Sequence, residues 1–128
     1  MKNKIEAVQK FHKTFGLGVR NKPTSKLSDD LITLRYNLMV EENKEYLEAA
    51  KNNDLIEVAD ALGDMLYIIF GTILEHGLQD KMEAVFDEIQ RSNMSKMGKD
   101  GKPVYREDGK IMKGSNYFEP DIKGILKD

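Results

Sequence analysis

Residues 54–76 read DLIEVADALGDMLYIIFGTILEH, and this stretch decides the fold. Asp54 is a helix N-cap, Glu57 stands at the reciprocal capping-box position, and Gly77 suits a left-handed C-cap. Between them Leu55, Val58, Ala59, Leu62, Leu66, Ile69 and Ile73 recur at helical spacing as one broad apolar face. From Met65 onward the helix is apolar nearly all round, the mark of a central, buried element. Glu57, Asp60 and Asp64 line the opposite side, and that line continues through Tyr67, Ile68 and Gly71. A face that is acidic for two turns and apolar for the next two borders an internal site rather than open water.

The preceding helix behaves similarly. Ser28 caps it, Asp29 and Asp30 complement its dipole, and Asn52-Asn53 ends it after Lys51. Its apolar stripe, Leu31, Leu34 and Leu38, runs on into Glu42, Glu45 and Ala49, with Glu41 at the margin. An earlier helix is expected over 2–15, with Ile5, Val8, Phe11 or His12, and Phe15 on its inner face, then a connection over 16–27 broken by Gly16, Gly18 and Pro23. A fourth is expected over about 79–92, through Met82, Val85, Phe86 and Ile89. Asp100-Gly101 and Asp108-Gly109 then bracket Val104-Tyr105-Arg106, which suggests a small β-hairpin. The expected fold is all-α: a bundle of four to five helices with an irregular basic C-terminal segment. The 128 residues suit one domain, with a helical core over about 2–94 and a tail over about 95–128.

Composition narrows the chemistry. The absence of Cys removes disulfides, thiol nucleophiles and thiolate zinc sites, and two His are too few for a His-rich centre. The longest apolar run, Met65 to Phe70, is far short of a membrane span, and no apolar signal core follows the basic start, so a cytoplasmic protein is expected. The net charge of −2 conceals a division: residues 29–64 carry ten acids against three bases, and residues 95–114 six bases against three acids. An acidic middle with a basic tail suits a small polyanion held between cations better than it suits nucleic acid.

Bringing Glu42 and Glu45 opposite Glu57, Asp60 and Asp64 concentrates five carboxylates, which persist together only if protonated or neutralised by cations. Hard divalent ions favour oxygen ligands, and Mg²⁺ held by carboxylates and substrate phosphates is the common arrangement. A di-iron carboxylate bundle is the competitor, but neither His12 nor His76 has a Glu three residues before it.

Glu41-Glu42-Asn43-Lys44-Glu45 followed by Glu57-Val58-Ala59-Asp60 resembles the E-E-x-x-E and E-x-x-D motifs of the all-α nucleoside triphosphate pyrophosphohydrolases. That superfamily includes MazG, phosphoribosyl-ATP pyrophosphohydrolase and the dimeric dUTPases. Asp60-Ala61-Leu62-Gly63-Asp64-Met65-Leu66-Tyr67, Gly71-Thr72, Arg91-Ser92-Asn93-Met94-Ser95-Lys96 and the Asp-Gly-Lys repeats through Lys113-Gly114 are similar to one MazG-like branch. The resemblance implies Mg²⁺-dependent hydrolysis between the α- and β-phosphates, with Mn²⁺ as a substitute. It implies Glu42, Glu45, Glu57 and Asp60 as metal ligands, and Glu41 as a ligand or the base that orients the attacking water. A second register of the motif selects Asp64 and puts Ala61 where Glu is expected; both registers stay open. It also implies homodimers or dimers of dimers, and a basic tail in which Arg91, Lys96 and Lys113 meet the triphosphate. Lys99 and Lys102 read as solubilising charges, while Tyr117 and Phe118 serve either base stacking or the core. Two alternatives stay open: a catalytically silent helical module that binds nucleotides or a protein partner, and a structural bundle whose acids are plain surface.

Overall fold

The computed structural model describes residues 1–98 and 100–127. Lys99 therefore lies outside the described residues. The elements in order are α1 (Lys2–Thr14), α2 (Asp29–Lys51), α3 (Leu55–Glu75), α4 (Met82–Met94), β1 (Val104–Tyr105), β2 (Ile111–Met112) and α5 (Ile122–Leu126). The fold is all-α with a minimal antiparallel hairpin, Val104 pairing with Met112 and Tyr105 with Ile111. The chain forms two compact units, Met1–Asp80 and Lys81–Asp128.

Helix ends in the first unit follow local chemistry. Ser28 Oγ accepts from the Leu31 N–H at 3.2 Å, and Asp54 Oδ1 accepts from the Glu57 N–H at 3.1 Å. Asn53, at φ 56°, turns the chain from α2 into α3, so the two helices form an antiparallel pair with a very short connection. Gly77 leaves α3 at φ 68°, where a Cβ would meet the Lys22 carbonyl oxygen.

The core of this unit is small: Ile5 and Val8 of α1 pack with Leu74 of α3, flanked by Val19 and Phe70. Two expectations need correcting. The broad apolar face of α3 is fully buried only at Ile73: Leu55 is 80% exposed, Leu62, Leu66 and Ile69 are also exposed, and the other buried positions of the helix are Ala61, Gly71, Leu74 and Glu75. On α1 the open choice between Phe11 and His12 falls to His12, which is buried, whereas Phe15, expected on the inner face, is exposed. Periodicity identifies an apolar face, but α1 and α2 cover only part of α3, and the rest of its apolar surface has no cover within the unit.

In the second unit, Val85 and Ser92 are buried, whereas Phe86 and Ile89, expected on the inner face of α4, are exposed. Ser92 Oγ donates to the Phe118 carbonyl at 2.8 Å, and the Phe118 N–H donates to Ser95 Oγ at 3.1 Å. These bonds tie the tail to the end of α4.

Candidate metal centre

The antiparallel α2–α3 pair sets Glu42 and Glu45, one turn apart on α2, against Asp64 of α3. One carboxylate oxygen from each lies within 4.8 Å of the others. Glu42 Oε2 is buried and has no hydrogen-bond partner among the described residues. Burial, then a side-chain hydrogen bond shared with Glu45, then the charges of Glu45, Asp64 and Asp60, push the Glu42 carboxyl up to about 7. Asp64 is raised as well, first by burial and then by Asp60 and Glu45.

Beside the triad an open cleft of about 470 Å³ is lined by Glu45, Glu48, Ala49, Asn52, Asp54, Glu57 and Asp60. Glu57 and Asp60 are exposed on its wall, and Glu41 is exposed on α2. Of the six carboxylates expected at the site, the fold thus draws three into a cluster and sets two along the adjoining cleft. Asp60 acts on the cluster through its charge.

Of the expected phosphate-binding cations, Arg91 on α4 donates from Nε and its guanidinium fork to Glu88 at 2.8 and 3.0 Å, and its Cζ lies 4.3 Å from the Phe118 ring centre. Glu88 also accepts the Asp121 N–H, and Arg91 and this bond hold its carboxyl down to about 2. Lys96 is half-buried and its carbonyl accepts the Gly114 N–H at 3.1 Å. Lys113 Nζ sits 4.8 Å from the Tyr117 ring centre. Phe118 and Tyr117 each carry a cation on a ring face.

The cluster fits a hard cation. All three donors are carboxylate oxygens. Ligands on opposite sides of Mg²⁺ or Ca²⁺ lie about 4–5 Å apart, twice a metal–oxygen distance of roughly 2.0–2.6 Å. The orphaned Glu42 oxygen is the atom that such an ion would satisfy. The family model for phosphoribosyl-ATP pyrophosphohydrolase matches residues 8–93, a span that contains all of α2 and α3 and every carboxylate of the site. The chain belongs to this pyrophosphohydrolase family. It is also 29% identical over 108 residues to an uncharacterized protein of Acanthamoeba polyphaga mimivirus, covering 80% of this chain and 43% of that protein. The chain therefore spans less than half the length of that relative. For a pyrophosphohydrolase family member, acids converging from two successive helices are the expected place for metal chemistry.

Sequence reasoning missed one residue of this unit. Arg35 is 8% exposed, with Nε donating to Thr72 Oγ1 at 3.0 Å and Nη2 to the Ile68 carbonyl at 2.8 Å. Its signal was present: Arg35 stands four residues after Leu31 and three before Leu38, on the leucine stripe itself.

Proposed function

We propose that this chain hydrolyses a nucleoside or deoxynucleoside triphosphate between the α- and β-phosphates. The products are a nucleoside monophosphate and pyrophosphate, and the role is control of cytoplasmic nucleotide pools. The observation that carries the reading is the Glu42–Glu45–Asp64 convergence within a chain of this family. Mg²⁺, or Mn²⁺ in its place, would be held by Glu42, Glu45 and Asp64, with Glu57 and Asp60 at its outer edge. When bound, it would supply charge neutralisation at the phosphates and a lowered pKa for water. Glu41, exposed beside this group, is proposed to orient the attacking water and accept its proton. Arg91, Lys96 and Lys113 are proposed as phosphate-binding cations. Arg91 would exchange the Glu88 carboxylate for a phosphate, a ligand its fork fits equally well. We propose one domain over residues 1–128.

The test is pyrophosphate release from a panel of nucleoside triphosphates with Mg²⁺, in the wild type and in Glu45→Gln. The variant is expected to lose Mg²⁺-dependent turnover while remaining folded by circular dichroism. Unchanged turnover in Glu45→Gln contradicts the assignment. No release from any nucleotide, in a protein that still binds them, favours the silent binding module.

We also propose a homodimer or dimer of dimers, supported by the uncovered stripe Leu55, Leu62, Leu66 and Ile69 on α3. Leu66→Glu places a charge in the middle of that stripe. It is expected to shift the mass measured by light scattering from dimer to monomer; a wild type that is already monomeric overturns this part.

A further inference from the structure

The triad poses a mechanical problem. Glu42 and Glu45 face Asp64 across the α2–α3 seam, and like charges push the two helices apart or along one another. Apolar packing between two helices resists their separation but does little to fix their sliding, because apolar contact is non-directional. Between the α2–α3 turn and the far end of the pair, Arg35 supplies the directional contact. Its two bonds end on a backbone carbonyl and a hydroxyl of α3, and Thr72 Oγ1 itself donates to the same Ile68 carbonyl at 2.8 Å.

The surroundings are shaped for this contact. Gly71 lets the side chains reach the α3 backbone: a Cβ there would stand 2.6 Å from Arg35 Nη2 and 2.6 Å from His12 Nε2. The charge of Arg35 is met by Glu75, which is 2% exposed and is itself bonded to Arg20 at 3.2 Å. His12 Nδ1 is bonded to the Gly18 carbonyl at 2.8 Å. Loop, α1, α2 and α3 all meet at this one polar knot. A leucine at position 35 would continue the apolar stripe without the desolvation of a guanidinium, so the arginine is poorly explained by stability alone.

We infer that Arg35, through Thr72 and the Ile68 carbonyl, is a positioning residue that fixes the axial register of α2 against α3 and so holds Glu42, Glu45 and Asp64 in reach of a common cation. Arg35 lies two turns, about 10 Å, before Glu42, and Ile68 lies one turn, about 6 Å, after Asp64. The clamp therefore sits close enough to transmit register and too far to ligate. The inference rests on the metal-binding reading proposed above.

Thr72→Val removes the hydroxyl while keeping the shape; Thr72→Ser restores it; Arg35→Met removes both bonds. Mg²⁺ alone is the probe, titrated by calorimetry at a temperature well below unfolding. Thr72→Val is expected to weaken Mg²⁺ binding about tenfold and Arg35→Met more, with Thr72→Ser near wild type and helix content unchanged. A metal-free measurement separates this inference from the functional one. The chain has no native Cys, so spin labels at Lys44→Cys and Gly63→Cys, both exposed, report the α2–α3 distance at the triad. The wild type is expected to give one narrow distance, and Thr72→Val and Arg35→Met broadened ones. Unchanged distances in both variants overturn the inference, as does wild-type Mg²⁺ affinity in both. A wild type blind to Mg²⁺ whose distances still broaden in the variants sinks the metal reading and leaves the register clamp standing.

Discussion

Asp64→Asn is expected to lower pyrophosphate release more than 100-fold, and Asp60→Asn only about 10- to 100-fold. Both residues stand on the acidic line of α3, one turn apart, but their surroundings differ. Asp64 is half-buried and lies within 4.8 Å of Glu42 and Glu45, whereas Asp60 is exposed on the wall of the adjoining cleft. Loss of a direct ligand removes the ion or displaces it. Loss of a neighbouring charge weakens an ion that still has its ligands, and outer partners typically contribute 10–100-fold. Asn keeps the size of Asp, so the fold is not at stake in either variant. The measurement is initial rate against Mg²⁺ concentration, which separates the two cases: Asp60→Asn is expected to recover at high Mg²⁺ and Asp64→Asn is not. The reverse ranking would select the other register of the acid motif, with Glu57 and Asp60 as the inner pair.

That the two registers could not be told apart from sequence has a simple cause. Residues 60 and 64 occupy the same helix face, and which of them approaches Glu42 depends on the axial offset between α2 and α3, a long-range quantity. Local chemistry was legible: Ser28, Asp54 and Gly77 act within a few residues of themselves, and the helix boundaries follow. The apolar face of α3 was legible as a pattern but not as a burial, because nothing local says whether the same chain or another copy covers Leu62 and Leu66. Arg35 was overlooked for the opposite reason. By charge it is one of three bases among residues 29–64, but its place between Leu31 and Leu38 sets it facing inward. Arg91 shows the same gap: its charge is visible in the sequence, and Glu88 three residues earlier is visible too, but Phe118 arrives from 27 residues away.

In metal-free solution at pH 8, Glu42→Gln is expected to melt about 3–6 °C above the wild type, and added Mg²⁺ is expected to reverse the order. The wild type at pH 8 must keep the Glu42 carboxyl ionised in a place that raises its pKa from 4.5 to about 7. Between those values the folded chain binds more protons than the unfolded one, so stability falls as pH rises through that window and levels off above about pH 7. Gln is neutral throughout and can donate its amide N–H groups to the Glu45 and Asp64 carboxylates at every pH, without the repulsion of an ionised carboxylate. The gap between variant and wild type should therefore be widest at pH 8 and close as pH approaches 4.5, and taking the difference cancels the titrating groups that do not interact with Glu42. Mg²⁺ binds the folded wild type alone and raises its stability by mass action, while the variant has lost a ligand and gains little. Below about pH 7 protons compete with the ion for Glu42, so the Mg²⁺-induced rise should shrink on acidification. A variant less stable than wild type at pH 8 without metal would mean that Glu42 is not crowded by its neighbours. In that case its orphaned oxygen is no sign of a missing cation.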